Sequence, residues 1–335
     1  MSPARRRAAE LRGKPEKRRA APGGAPFADK TAWEGLRQMS EQGNKAAVGF
    51  IGVGLMGHGM AKNLVEKGHP LTIIGNRNRA PVEDLVGRGA VEADSVADLT
   101  RRSEVIFLCL PGSPEVEHIV GEILQAGVSG KIIVDCSTSN PVSTRALAAR
   151  VAEAGGEMAD APLSRTPKEA WEGALDVMAG ADEALFSRIE PLLSCFATKV
   201  LRVGELGAGH TMKLLNNFLS LGYGALYAET LAIGARNGID AATVRDVISG
   251  GRMDCGFFQT FMRYVADGDK NAHRFALRNA HKDMRYVASL ANESGIASHL
   301  SSAVKNGYAT AEALGHGDDY LPEIAAIIGR LNGVE

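Results

Sequence analysis

The stretch KAAVGFIGVGLMGHGMAKNLVEKG, residues 45–68, decides the fold. KAAVGFI is an apolar run of strand length, GVGLMG is a glycine turn, and HGMAKNLVEKG has the apolar spacing of a helix closed by Gly68. Gly52-x-Gly54-x-x-Gly57 thus leaves a strand and opens a helix, the setting in which three glycines hold a dinucleotide. The first turns the chain, the second lets backbone approach a pyrophosphate, and the third lets helix lie close on strand, with the helix N-terminus facing the phosphates. Leu55 and Met56, between the glycines, join the expected cofactor contacts. The motif alone recurs in unrelated loops, so the strand–turn–helix context carries the reading.

Outward from this turn the alternation continues. LTIIG (71–75), VIFLCLP (105–111), KIIVDCS (131–137) and GEMADAPL (156–163) read as strands, separated by helical segments such as PVSTRALAARVAEAGG (141–156). Alternating strands and helices imply βαβ units and a mainly parallel sheet. ALDVMAG (174–180) and KVLRVG (199–204) are two further strand candidates, and the sheet half stops near Gly207. HTMKLLNNFLSLGYGALYAETLAIGARNG (210–238) then runs without proline, apolar nearly all round, to a glycine terminator at Gly238; it predicts one long helix buried among others. The rest reads as shorter helices. The expected class is α/β: a doubly wound Rossmann-type domain over 45–207, joined by the long helix to an all-helical domain over 208–335.

The composition suits such a chain: 335 residues, 45% apolar and 23% charged, are enough for two packed units. The net charge of −1 hides an asymmetry, since residues 1–44 hold ten basic and five acidic side chains, a net of +5, leaving −6 for the remainder. That basic tail has few large apolar residues and is expected to be disordered. It reads as a nucleic-acid arm, an arginine-rich presequence or a solvated appendage, and the last is favoured, so a nucleic-acid partner is not expected. No run suggests a membrane span or a secretory signal. Cys109, Cys136, Cys195 and Cys255 show no metal-ligand spacing and predict buried, reduced thiols in a cytoplasmic protein.

Three places carry chemistry. The second strand of an NAD-preferring domain ends in an acid that holds the ribose 2′-hydroxyl. Here the strand ends IIGNRNR; Gly75 or Asn76 stands at that position, and Arg77 and Arg79 follow. A 2′-phosphate would be attracted, which predicts NADPH over NADH with NAD still possible; the bland alternative is a solvated turn. Lys213 and Asn217 lie four residues apart on one face of the long helix. A lysine in so apolar a helix either snorkels to water or does work that repays its desolvation. Finally, in DAPLSRTPKEAWEG (160–173), Arg165 and Thr166 follow Ser164 where a tight loop is more easily built from glycine.

FIGVGLMGHGMAKNL resembles the signature of the β-hydroxyacid dehydrogenase family, which includes 3-hydroxyisobutyrate dehydrogenase and tartronate semialdehyde reductase. LPGSPEVEHIV, VDCSTSNP, DAPLSRTPKEAWEGALDVMAG, GAGHTMKLLNN and AHKD extend the resemblance in order from Lys45 to the end. It implies an oxidoreductase acting between a nicotinamide cofactor and a small anionic hydroxy acid or aldehyde acid, with Lys213 as general acid and base and Asn217 holding the substrate oxygen. It also implies cofactor contacts at Leu110, Pro111, Thr138 and Lys282, and a homodimer or homotetramer.

At Arg165 the chain departs from the family. Most relatives place two glycines after the serine; Arg165 and Thr166 here resemble the sulfolactaldehyde reductase branch, where the arginine recognises a sulfonate. That implies a substrate-anion site at Ser164, Arg165 and Thr166. An Arg165 pointing to solvent, or paired with Glu169 or Glu172, is the competing reading. Imine reductases share much of the fold but usually replace the lysine. A noncatalytic cofactor-binding module tethered to nucleic acid by the basic tail is the alternative of a different class.

Overall fold

The computed structural model describes residues 45–334, so the expectation for the basic tail lies outside the described residues. Nine strands form one sheet: β1 (Val48–Ile51), β2 (Leu71–Ile74), β3 (Val91–Glu92), β4 (Val105–Leu108), β5 (Ile132–Asp135), β6 (Glu157–Asp160), β7 (Leu163–Ser164), β8 (Leu175–Gly180) and β9 (Ala197–Gly204). Their order is β3-β2-β1-β4-β5-β6-β8-β7, with β9 also paired to β8. From β3 to β6 every pair is parallel, Val48 facing Leu71 on one side and Val105 on the other. Strands buried on both faces read as continuous apolar runs, which is why VIFL and IIVD were plain in the sequence. Beyond β6 the direction reverses: β6 and β7 lie end to end along an antiparallel β8, so GEMADAPL is two strands broken at Ala161–Pro162, and β9 runs parallel to β8.

The helices over residues up to 193 are α1 (Gly57–Glu66), α2 (Ala80–Gly87), α3 (Val96–Arg102), α4 (Ser113–Ala126), α5 (Pro141–Glu153), α6 (Pro167–Glu172) and α7 (Glu183–Leu193). They cover both sheet faces. Alternation along β4 sends Phe107 to one face, among Phe50, Leu64 and Phe196, and Ile106 and Leu108 to the other, among Leu99, Val120 and Ile133. Phe107 anchors the first layer, its ring centroid 6.1 Å from Phe50 and 5.8 Å from Phe196.

A single helix, α8 (Ala208–Arg236), leaves the sheet and is joined by α9 (Ala241–Ile248), α10 (Gly256–Ala266), α11 (Leu277–Glu293), α12 (His299–Ala311) and α13 (Ile324–Leu331). Leu214, Leu221 and Ala228, at heptad spacing on α8, pack with Phe258, Phe261, Met284 and Tyr308 in a separate core. Gly224 lets Tyr308 close on α8 and donate its hydroxyl to the Leu221 carbonyl at 2.7 Å.

Two expectations are corrected. The long helix is covered on one side only: Met212, Leu215, Leu219, Tyr223, Leu226 and Ile233 are exposed, because its neighbours within the chain pack against the opposite face. Of the cysteines, Cys136 and Cys195 are buried and Cys109 partly so, but Cys255 is exposed, placed by its position just ahead of α10.

Because Phe107 bridges two aromatic neighbours at zero exposure, Phe107→Ala is expected to remove about 3–5 kcal/mol of stability. A denaturant midpoint shifted in proportion, with an unchanged slope, checks it.

Candidate active site

The glycine turn has the geometry its sequence implied. Gly52 has φ +102°, and a Cβ there would strike the Cys109 carbonyl; one at Gly57 would strike the Gly52 carbonyl and come 2.9 Å from the Phe50 ring. Around Gly54 nothing lies within 4 Å of a Cβ position, and Leu55 is exposed beside it. The first turn of α1 carries no acidic residue and no side-chain cap, leaving its N–H groups for an anion. An open glycine, two crowded glycines and an uncapped helix start together fit a pyrophosphate.

At the end of β2, Asn76 and Arg77 are exposed, and Asn76 Oδ1 accepts the Arg77 N–H at 2.8 Å. Arg79 is clamped through both terminal nitrogens by Glu92, at 2.7 and 2.8 Å. No local pattern points to this partner: β3 is two exposed residues without an apolar period, and only the parallel pairing of Ile73 with Glu92 brings that carboxylate to the end of β2.

The carboxyl ends of β4 and β5 are stitched together and to the helical half. The Leu110 N–H donates to Ser137 Oγ at 2.9 Å. Lys282 on α11 donates to the carbonyls of Pro111 at 2.8 Å and Thr138 at 3.1 Å. One helix turn on, Tyr286 Oη accepts the Ser113 N–H at 3.0 Å, and Ser289 Oγ accepts from Asn140 at 3.1 Å. Residues 282, 286 and 289 share one face of α11, which seals the helical half onto the strand ends.

Lys213 lies under this seam. Among the described residues its ammonium has no hydrogen-bond or ion-pair partner. Burial holds its pKa below the usual lysine value; the Asp283 carboxylate pulls it back up, and the Lys282 ammonium pushes it down. Asn217, one turn along, is buried and donates Nδ2 to Asp283 Oδ2 at 2.7 Å. The other oxygen of Asp283 is 3.1 Å from Lys282 Nζ, charge to charge without hydrogen-bond alignment. Asp283, which sequence reading passed over, thus supports all three groups; a carboxylate directly after a singled-out lysine, within one helical face of Tyr286, was the available signal.

The start of α8 is fixed by a second overlooked carboxylate. Asp160, fully buried at the end of β6, accepts the N–H groups of Gly207 and His210, each at 2.6 Å, and so caps the long helix from another element. Burial raises its pKa, offset by His210 beside it. The His210 ring, also fully buried, bridges Thr144 Oγ1 at 2.8 Å and the Ser137 carbonyl at 3.1 Å. Lys213, three residues on from His210, is therefore set by contacts that also hold Ser137 in the loop after β5.

In the loop after β7, Arg165 has φ +85°, the one positive φ outside glycine among the described residues. Its Nε donates to Asp176 Oδ2 at 2.9 Å, so its ion-pair partner is neither Glu169 nor Glu172. Thr166 caps α6: its Oγ1 accepts the Lys168 N–H at 3.3 Å, while its own N–H donates back to Glu169 at 3.0 Å. Asn63 of α1 donates to the carbonyls of Gly59 at 2.8 Å and Ala170 at 2.9 Å, tying α6 to the helix that opens from the glycine turn.

Comparison with known proteins agrees with this geometry. Residues 47–204 match the family model described as the NAD binding domain of 6-phosphogluconate dehydrogenase, and residues 207–327 match that for NAD-binding of NADP-dependent 3-hydroxyisobutyrate dehydrogenase. The chain is 38% identical to 2-hydroxy-3-oxopropionate reductase of Escherichia coli over 61% of its own length and 70% of that protein. It is 31% identical to 3-sulfolactaldehyde reductase of Escherichia coli over 81% and 92%. Among solved structures, Psf3 in complex with NADP+ and 2-OPP superposes with a TM-score of 0.72 at 26% identity, covering 84% of this chain and 100% of that one. The chain belongs to the NAD(P)-dependent β-hydroxyacid dehydrogenase family. Its cofactor is a nicotinamide dinucleotide.

Replacing Asp160 by Ala leaves the buried N–H groups of Gly207 and His210, at the start of α8, without an acceptor and is expected to cost about 2–3 kcal/mol. Chemical denaturation reads the loss, and hydrogen exchange is expected to localise it to the first turn of α8.

Proposed function

We propose that the protein transfers a hydride between NADP and a short hydroxy acid or aldehyde acid bearing a second anionic group, with Lys213 as general acid and base. The observation that carries this is an unpartnered ammonium, desolvated and held one helix turn from Asn217, beneath the seam between α11 and the strand ends. Residues 45–207 serve as the cofactor unit and 208–335 as the unit that brings Lys213 to it.

A bound nicotinamide supplies or takes up the hydride, and the chain's own residues bind, orient and move the proton. Gly52, Gly54, Leu55, Met56 and Gly57 would hold the pyrophosphate, Asn76 and Arg77 the adenosine ribose, and Leu110, Pro111 and Thr138, with Lys282, the nicotinamide end. Lys213 donates a proton to the carbonyl oxygen during reduction and removes it during oxidation, its charge stabilising the oxyanion between. Asn217 has given one amide hydrogen to Asp283 and keeps the other, with its carbonyl, to hold the reacting oxygen in line.

Ser164 and Arg165 hold the remote anion. Arg165 uses Nε on Asp176, which leaves its terminal nitrogens for a carboxylate or sulfonate. Thr166 serves the loop through its cap on α6. The left-handed backbone at Arg165 supports this reading, since such a conformation costs a non-glycine residue about 1–3 kcal/mol and persists where function needs it. NADPH is preferred on the strength of Arg77 and a strand end without an acid of its own. The exposed apolar stripe on α8 supports a homodimer or homotetramer, and four free cysteines suit the cytoplasm.

Lys213→Ala is expected to lower kcat about 10²–10⁴-fold with cofactor affinity retained. In the native chain, oxidation requires the amine, so its rate rises with pH through an apparent pKa below 10.5, the ordinary lysine value; reduction requires the ammonium and falls through the same value. Steady-state rates in both directions across pH check this, and near-normal turnover of Lys213→Ala removes Lys213 from the mechanism.

Arg165→Gly is expected to reduce kcat/KM for a sulfonated or carboxylated aldehyde about tenfold or more while sparing the uncharged analogue. Equal loss on both substrates contradicts the anion site.

A further inference from the structure

The end of β2 holds a carboxylate that the chain order does not reveal. Glu92 belongs to β3, and the parallel register sets it beside Ile73, two residues before Gly75. A Cβ placed on Gly75 would collide with both the Glu92 carboxylate and the Arg79 guanidinium. The space that a side chain at 75 would occupy is therefore filled from the neighbouring strand. A strand-end acid in a dinucleotide-binding domain accepts the ribose 2′-hydroxyl and repels a 2′-phosphate. Glu92 brings the same group to the same place by another route.

The carboxylate also engages a cation that would otherwise favour the phosphate. Arg79 meets Glu92 fork to fork, Nη1 to Oε1 at 2.7 Å and Nη2 to Oε2 at 2.8 Å, so a phosphate must break a bidentate pair to reach it. Glu83, in the first turn of α2, adds a further negative charge facing Arg79. Arg77 has no side-chain partner among the described residues and remains the available cation.

We propose that Glu92 is a specificity-determining residue for the cofactor: by clamping Arg79 and standing in for the missing strand-end acid, it narrows the preference for NADPH and keeps NADH in use. This rests on the reading that a nicotinamide dinucleotide lies with its adenosine ribose at the end of β2. Glu92→Gln keeps the size, removes the charge and releases Arg79, so NADPH binding tightens while NADH binding does not.

The test is a fluorescence titration of NADPH and NADH against the full chain and its variants, in the absence of any substrate. The ratio of Kd for NADH to Kd for NADPH is expected to rise at least about tenfold in Glu92→Gln, the scale of one charge-assisted hydrogen bond. Adding Arg79→Ala to that variant is expected to abolish the gain. Glu92→Thr, suited to an exposed strand position, shifts the ratio the same way and guards against a folding defect in the first variant, with thermal melts confirming each. A ratio moving less than twofold, or toward NADH, overturns the role of Glu92 while leaving the cofactor reading intact. Failure of the native chain to bind either dinucleotide overturns both.

Discussion

A lysine ammonium that is taken out of water must be paired, discharged or used. Lys213 is none of the ordinary structural cases: it makes no ion pair among the described residues, burial drives its pKa down, and the carboxylate that opposes this, Asp283, divides its two oxygens between Asn217 and Lys282. The compensation is partial, which leaves a group that gives up its proton more readily than a solvated lysine. The rest of the molecule keeps it so. Asp160 caps α8 from the sheet, His210 ties that cap to the loop after β5, and α11 closes over the strand ends with Lys282, Tyr286 and Ser289.

The same scaffold connects the glycine turn to the loop that carries Arg165. The helix that opens from the glycine turn reaches α6 through Asn63, and α6 is the helix that Thr166 caps directly after Arg165. Gly59 allows this approach, since a Cβ there would come 2.5 Å from the Ala170 backbone. The left-handed conformation at Arg165 is held by a cap on one side and by pairing of Ser164 with Asp176 on the other. Strain at one residue is thus stored by neighbours with strong local reasons for their own conformations.

The elements legible in the sequence were those whose pattern is local. β1, the glycine turn and α1 follow one another with nothing intervening, and the proline-free run beginning near His210 is one helix, Ala208–Arg236, that stops just short of Gly238. Lys213 and Asn217 could be paired by counting four residues along it. What escaped depends on contacts between distant segments: Asp160 and Asp283 each become important because another element arrives beside them, and Glu92 lies on a two-residue strand with no periodicity to mark it. The open stripe of α8 escaped for the opposite reason. Apolar residues all round a helix state that each face favours cover, and the sequence does not distinguish cover within the chain from cover beyond it.

The account turns on Lys213 facing the reacting oxygen. A crystal structure of the ternary complex with oxidised cofactor and a bound hydroxy acid tests it most directly. The account expects Nζ of Lys213 within about 2.6–3.2 Å of the substrate hydroxyl, on the side facing the nicotinamide. A substrate hydroxyl met by other groups, with Nζ turned away toward Asp283, would contradict it.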